Sequence, residues 1–263
     1  MSEPKTAPSA DVVLAALRNS RARLVEIATP LTSEQVRERS YDTEWSIAQV
    51  LSHIGTGSIF FKFILEAGLA GEPVPGIDLM RPIWDEWNAK SPEDQTRDGV
   101  EADGALMAAF EALDTQQRAD WEIDMYGTHP DFAGLLTMRL SEHSVHTWDV
   151  VVALDPQAVL APDAVDLLID TLERLVARVG KPLDQQLVIG VETDAPSRNF
   201  VLTVDAEGAT LEPLDARSDA DRLLALPAEA FVRLVYGRLD PEHTPAGADD
   251  PVLEVLRTVF AGL

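Results

Sequence analysis

The segment 135–154 carries the residues whose types and spacing are best suited to chemistry. Within it, Glu142, His146 and Asp149 follow one another at intervals of three or four residues. Side chains at these intervals share one face of an α-helix, in a band about 60° wide. Carboxylates and imidazoles are the usual metal ligands in a protein without cysteine. The spacing therefore predicts that Glu142 and His146 can bind one metal ion from a single helix face.

The same segment has the sequence of an interior helix. It contains no glycine or proline, so it can form one unbroken helix of about 30 Å. Apolar residues occupy nearly the whole circumference, as is typical of a buried helix. An unpaired charge is very costly in such surroundings, and a metal ion would satisfy Glu142 and His146 together. The alternative, a helix-stabilising pair without a metal, stays open at this point.

A third ligand must come from elsewhere, and His53 is the best candidate because it lies in another apolar helical segment. His53 could instead be a hydrogen-bonded core histidine. His143 is a rival, being three residues from His146, but it lies about 100° away from Glu142 around the helix. Asp149 is either an acceptor that fixes a histidine ring or an N–H acceptor within the bundle.

Apolar residues at helical spacing predict four long helices, at residues 11–27, 45–69, 98–115 and 132–154. Loops join them, so an up-and-down bundle is the natural arrangement. Asp42 or Thr43 is predicted to cap the second helix. Gly55 and Gly57 follow His53 in that helix and leave room for a neighbouring backbone or a ligand.

Residues 68–91 break the helical pattern with several glycines and prolines. Such long loops are often functional. Trp84 and Trp87 lie inside this segment, either as hydrophobic plugs over the bundle or as walls of a pocket.

The character of the sequence changes after residue 156. A helix is predicted at 162–178, followed by short strands at 187–191, 200–204 and 210–214 and by helices at 219–226, 228–236 and 251–260. This pattern predicts a small α+β unit. Since 263 residues are many for one core, we expect two domains, 1–160 and 161–263.

Composition excludes several classes of function. The net charge of −24, from 45 acidic and 21 basic residues, disfavours nucleic acid and anionic membrane surfaces as partners. The absence of cysteine excludes disulfides, thiolate metal ligands and a cysteine nucleophile. No apolar run approaches the roughly 20 residues of a membrane span, and the first residues do not resemble a signal peptide. We therefore expect a cytoplasmic protein that does not bind membranes.

Two segments together resemble a known family. They are TEWSIAQVLSH at 43–53 and SEHSVHTWDVVVAL at 141–154, and both are similar to the mycothiol-dependent maleylpyruvate isomerase family. That family belongs to the wider group of DinB-like four-helix metal proteins. A third segment, LPAEAFVRLVYGRL at 226–239, resembles the small second domain of the same family. The resemblance thus touches both predicted domains.

The resemblance implies a fold and a set of site residues. The expected fold class is α+β, with an N-terminal DinB-like up-and-down four-helix bundle and a smaller C-terminal α+β domain of sterol-carrier-like shape. Carried over by position, the zinc ligands are His53, Glu142 and His146. Arg238 is the arginine that the second domain would direct at the active site, although a surface charge at a helix end is an equal alternative. The implied thiol is mycothiol, the low-molecular-weight thiol of actinobacteria.

Three protein ligands with an open position are typical of a catalytic zinc site. Zinc can lower the pKa of a bound thiol, and because the protein has no cysteine the thiol must be a cosubstrate. Its thiolate would attack an electrophile, in a cis-trans isomerase or in an S-transferase, in a monomer or homodimer. Two alternatives stay open. Two histidines and a carboxylate also suit non-haem Fe(II), and the protein could be a non-catalytic metal-containing small-ligand-binding or sensor protein.

Overall fold

The long helices expected from apolar periodicity are present in the computed structural model, which describes residues 8–42, 44–214, 220 and 222–262. The chain divides into two compact units, with the boundary between Asp155 and Pro156. The helices of the first unit are α1 (Ala10–Ala28), α2 (Ile47–Ala70), α3 (Arg81–Asn88), α4 (Pro92–Ala112), α5 (Thr115–Asp120) and α6 (Phe132–Leu154). The domain limits 1–160 and 161–263 stay a prediction, because compactness does not test whether each part folds alone.

The four long helices α1, α2, α4 and α6 form a bundle. α2 packs against α4 and α6, and α1 packs against the same two helices. α1 and α2 therefore occupy opposite corners, although they follow one another in the chain. The two helices that carry the predicted metal ligands, α2 and α6, are neighbours. Buried apolar side chains from α1, α2 and α6 fill one part of the core: Leu24, Ala28, Ile47, Val50, Leu51, Ile54 and Val150.

The start of α2 is set by Ser46. Its hydroxyl accepts a hydrogen bond from the backbone N–H of Gln49 at 3.3 Å, and the Gln49 side chain accepts from the Ser46 N–H at 2.8 Å. This reciprocal pair is a capping box, which satisfies two N–H groups at the helix start. The predicted cap at Asp42 is therefore wrong, and Thr43 lies outside the described residues.

α2 and α4 touch through their backbones. A Cβ built on Gly55 would lie 2.7 Å from the Cα of Gly99, and one built on Gly99 would collide with the carbonyl oxygen of Leu51. The ring of Trp87 also lies against Gly55. Of the two predicted uses of Gly55, the structure therefore has the close approach of a neighbouring backbone.

The segment 68–91 is more ordered than its composition predicts. It contains a 3₁₀ turn at Ile77–Met80 and the helix α3, so the prediction of a continuous loop is wrong. Pro82 is compatible with this helix because it lies in the first turn, where the backbone N–H has no helical partner. Trp87 is buried, as expected of a hydrophobic plug, and Trp84 is half-buried.

Within the described part of the chain, α2 alone has the length and hydropathy of a membrane span. Of its most apolar stretch, 56% is buried inside the protein. Core helices of water-soluble proteins have the same length and composition. The packing of α2 against α4 and α6 accounts for its apolar sequence.

The second unit contains the sheet. Its helices are α7 (Pro162–Leu168), α8 (Leu172–Val179), α9 (Ala228–Val235) and α10 (Val252–Val259), and its strands are β1 (Leu187–Asp194), β2 (Arg198–Asp205), β3 (Gly208–Pro213) and β4 (Arg222–Pro227). The strand order is β3-β2-β1-β4, with β4 parallel to β1 and the other pairs antiparallel. α8 packs against β3, and α9 packs against β1 and β4. The predicted α+β fold class, a helix bundle followed by a smaller α+β unit, is confirmed.

The helix predicted at 219–226 is wrong. The described part of this segment is β4, which pairs with β1 through Leu224 and Val191. Leu224 and Leu226 are buried whereas Leu223 is 52% exposed, so the side chains alternate as in a strand. Asp219 lies outside the described residues.

Candidate metal centre

Two neighbouring helices bring the predicted ligands together. α6 presents Glu142 and His146 from successive turns, and α2 presents His53 from the facing side. One donor atom from each of the three residues lies within 4.8 Å of the other two. The predicted convergence of these three side chains is therefore present in the structure.

The distances within the group leave space for an ion. Oε2 of Glu142 lies 3.9 Å from Nε2 of His53 and 3.6 Å from Nε2 of His146. These distances are too long for good hydrogen bonds. Zinc binds nitrogen and oxygen at about 2.0–2.2 Å, so tetrahedral donors lie about 3.3–3.5 Å apart. The three donor atoms lie within 4.8 Å of one another, so their side chains must move closer together to bind such an ion.

Asp149 determines which nitrogen of His146 faces the centre. Its Oδ2 lies 2.9 Å from Nδ1 of His146, and Asp149 itself is buried. A carboxylate at this distance accepts the proton on Nδ1, which leaves a lone pair on Nε2. Of the two roles considered for Asp149, the geometry favours the one that fixes the histidine ring.

His143 does not belong to the group. It is fully buried, and its Nδ1 lies 2.8 Å from Oγ of Ser20 on α1. Its Nε2 lies 3.4 Å from Oδ2 of Asp103 on α4. The imidazole therefore points into the bundle core, which is the direction that its position around the helix predicts.

The protonation states suit metal binding. Burial lowers the pKa of His53 more than Glu142 raises it, so this imidazole is neutral at pH 7. Burial would raise the pKa of Glu142, but His146 and His53 outweigh burial and keep the carboxylate ionised. Burial would lower the pKa of His146, yet Asp149 and Glu142 raise it overall, so protons compete with a cation for this ring more than for a free imidazole.

One side of the centre is open. The side chains of His53 and Glu142 are 38% and 39% exposed, whereas that of His146 is 16% exposed. The half-buried ring of Trp45 lies next to that of His53, with the two ring centroids 5.2 Å apart. The sequence places Trp45 at the start of a helix and within a segment that resembles the family, but does not predict its contact with His53. An accessible side on a three-ligand centre is what a catalytic site requires.

Arg238 lies in the second unit, just after α9. Its Nη1 donates to the carbonyl oxygen of Tyr236 at 2.7 Å, and its backbone N–H donates to Arg233 at 2.7 Å. These contacts fix a turn at the end of the helix. The role of Arg238 in an active site stays a prediction.

Together these features define a class of protein: a four-helix bundle that offers a two-histidine, one-carboxylate centre with one accessible side. The model of the mycothiol maleylpyruvate isomerase N-terminal domain matches residues 17–151, just over half of the chain. The chain therefore belongs to the mycothiol maleylpyruvate isomerase family.

Two crystal structures of one enzyme have a similar fold. The crystal structure of the mycothiol-dependent maleylpyruvate isomerase is similar with a TM-score of 0.68 and 13% identity, over 94% of this chain and 98% of that one. The same enzyme with one histidine replaced by alanine gives a TM-score of 0.67 at 13% identity, with the same coverage. YfiT from Bacillus subtilis, described as a probable metal-dependent hydrolase, gives a TM-score of 0.43 at 16% identity, over 59% of this chain and 90% of that one. No curated protein sequence matches this chain.

Proposed function

We propose that this protein is a metal-dependent enzyme that uses a low-molecular-weight thiol, mycothiol, as its cosubstrate. The observation that carries the proposal is the convergence of His53, Glu142 and His146, with donor atoms within 4.8 Å of one another and one side accessible. Membership of the mycothiol maleylpyruvate isomerase family supports the choice of thiol.

The three side chains would hold a divalent cation, most suitably zinc, through two nitrogens and one carboxylate oxygen. Such a cation lowers the pKa of a thiol that binds beside it. Neutral His53 offers a nitrogen lone pair, and ionised Glu142 offers negative charge. Asp149 holds the proton on Nδ1 of His146, so that Nε2 is the nitrogen that faces a bound cation. The ring of Trp45, which lies next to His53, would give a bound thiol an apolar neighbour.

The thiol must come from outside the chain, because the sequence contains no cysteine. Two reaction types follow from this. In an isomerase the thiol adds to one carbon of a cis double bond, and it leaves after rotation about the resulting single bond. In an S-transferase the new carbon–sulfur bond stays in the product. Maleylpyruvate is the first electrophile to test, since relatives of this fold act on it.

Metal content tests the centre. We expect the purified protein to hold about one zinc or other divalent ion per chain, and His53→Ala, Glu142→Ala and His146→Ala each to lose it. His129→Ala, at an exposed loop position, is the matched control and should keep it. Elemental analysis of the four variants measures this. Stoichiometric metal in all three ligand variants would contradict the proposal.

Thiol turnover tests the reaction. We expect product when the protein receives mycothiol and a panel of electrophiles that includes maleylpyruvate. Product without net loss of thiol identifies an isomerase, and a covalent thiol adduct identifies an S-transferase. Saturable binding of thiol and electrophile without turnover would instead support a non-catalytic binding or sensor protein.

Arg238 enters the proposal as a residue that acts on the substrate. We expect Arg238→Ala to lower turnover while the metal content stays at the wild-type value. Arg222→Ala, at an exposed position of β4, is the control. Unchanged turnover in Arg238→Ala would remove this residue from the site.

A further inference from the structure

A second group of polar side chains lies inside the bundle, next to the metal centre but without a part in it. Arg139, on α6, is 2% exposed, and Asp103, on α4, is equally buried. Their side chains form an ion pair, with Nη2 of Arg139 2.9 Å from Oδ1 of Asp103. Two fully buried opposite charges are expensive to take out of water, so their presence calls for a reason beyond stability.

The arginine reaches α2 as well as α4. Its Nη2 lies 2.6 Å from Oγ of Ser58 and 3.1 Å from the carbonyl oxygen of Ile54. Ser58 donates in turn to the same Ile54 carbonyl at 2.8 Å. A single guanidinium nitrogen is thus shared between a backbone oxygen and a side chain of α2 and a carboxylate of α4.

The surrounding sequence makes room for this guanidinium. A Cβ built on Gly57 would lie 3.3 Å from Nη1 of Arg139, which is tighter than ordinary van der Waals contact. The ring of Phe61 lies 5.6 Å from the guanidinium carbon, within range of a cation–π interaction. The second glycine of α2 therefore admits an arginine from α6.

The contacts of Arg139 lie beside the metal centre in both helices. Arg139 precedes Glu142 by three residues on α6, and Ile54, whose carbonyl it binds, directly follows His53 on α2. The separation of α2 and α6 at this level sets the distance between the two donors. No metal is needed to form the hydrogen bonds that fix this separation.

We propose that Arg139 is a positioning residue for the metal centre, which it serves by tying α2 to α6 through Ile54 and Ser58 while Asp103 neutralises its charge. This inference rests on the proposed function, because it assumes that His53, Glu142 and His146 bind the metal. The tie holds the three donors close together before a cation arrives, which lowers the cost of ordering them on binding.

The test compares zinc affinity in folded variants. Arg139→Met with Asp103→Leu replaces the ion pair by apolar side chains of similar volume, a change that buried ion pairs often tolerate without loss of stability. We expect zinc to bind this double variant about tenfold or more weakly, as when groups that orient metal ligands are removed. Competition with a chromophoric chelator, well below each unfolding temperature, measures the dissociation constant.

Cobalt absorption gives a second readout, because its intensity and band positions follow the ligand geometry. We expect altered bands in the double variant. The control is Arg18→Gln with Glu111→Gln, which removes an exposed ion pair between α1 and α4, two helices without donors. Its zinc affinity and cobalt spectrum should equal those of the wild type.

Two milder variants decide the question if the double variant does not fold. Arg139→Lys keeps the charge opposite Asp103 but lacks the planar fork, and Ser58→Ala removes one acceptor. We expect weaker zinc binding in both. If the folded double variant, or both milder variants, bind zinc with wild-type affinity, the positioning role of Arg139 is wrong, but the proposed function is unaffected. A wild-type protein that binds neither zinc nor another divalent ion would overturn the proposed function as well.

Discussion

Asp149 shows how one residue outside the ligand set controls a ligand. Its carboxylate lies 2.9 Å from Nδ1 of His146, so the ring is held with Nε2 directed at Glu142 and His53. An imidazole that is free to exchange its proton between nitrogens would spend part of its time with the wrong nitrogen protonated. The residue therefore contributes to metal affinity without contact to the metal.

We predict that Asp149→Asn weakens zinc binding by about 10- to 100-fold. The neutral amide is a weaker acceptor, and it can also donate to Nδ1, which favours the tautomer whose Nε2 carries the proton. Chelator competition at pH 7 measures the change. Glu66→Gln, at an exposed position of α2, should keep wild-type affinity. Equal affinity in the two variants would contradict the role of Asp149.

At the scale of elements, two contacts between helices of the bundle are of a different kind from its apolar core: one is charged, and the other is between backbones. The ion pair of Arg139 and Asp103 joins α6 to α4, and Gly55 lies against Gly99 where α2 meets α4. Neither contact is apolar side-chain packing, and each is sensitive to a small chemical change. Each therefore gives a prediction about stability.

We predict that Asp103→Asn destabilises the metal-free protein by about 3–5 kcal/mol at pH 7, because it leaves the buried charge of Arg139 without a partner. Burial would raise the pKa of Asp103, but His143 and Arg139 lower it overall. Because the pKa of Asp103 is lower in the folded than in the unfolded protein, its ionised carboxylate stabilises the fold at pH values above about 3.9, the pKa of an unfolded aspartate. This stabilisation is lost as the pH falls below that value.

The difference in the free energy of unfolding between the wild type and Asp103→Asn should therefore become smaller below about pH 3.9, by about 1.4 kcal/mol per pH unit. Urea unfolding with a chelator present, at pH 7 and at lower pH, measures it. Asp78→Asn, at an exposed position, is the control and should change little. A difference that is small at pH 7, or that widens in acid, would refute the prediction.

We predict that alanine substitutions at two glycines of α4 change stability by different amounts. Gly99→Ala should destabilise the protein by about 1–3 kcal/mol, because its methyl group would force α2 and α4 apart at the Leu51 carbonyl. Gly104→Ala should be within about 1 kcal/mol of wild type, since its methyl group meets only the movable end of Arg21 and alanine favours helix. Thermal unfolding compares them. Equal effects would show that the backbone contact is not tight.

At the scale of the whole molecule, a bound ion would link segments far apart in sequence. His53 and the pair on α6 lie on different helices, so the ion can bind all three donors only in the folded bundle. We predict that zinc at about 100 times its dissociation constant stabilises the wild type by about 2.7 kcal/mol. Calorimetry with and without zinc measures this. If zinc stabilises His146→Ala by the same amount, the ion binds at another site.

The sequence predicts those features of the fold and the site that depend on residues close together in the chain. The unbroken apolar run of α6 placed Glu142 and His146 on one face, and their ligand spacing needed no tertiary information. Arg139 was missed because its burial depends on Asp103, a partner from another helix. The sequence predicts a helix where the structure has β4, because the pairing of β4 with β1 is non-local and its run of leucines is short. The sequence does not predict α3, because a proline, usually a sign of a loop, lies in its first turn.

The position of α1 and α2 at opposite corners has a consequence for synthesis of the chain. α1 packs against α4 and α6, so the part of its buried face that contacts these helices is covered only after they have been made. A nascent chain that ends before α6 lacks both a neighbour of α1 and two of the three metal donors. Until α6 has left the ribosome, α1 therefore lacks one of its packing partners, and an ion cannot be bound by all three donors.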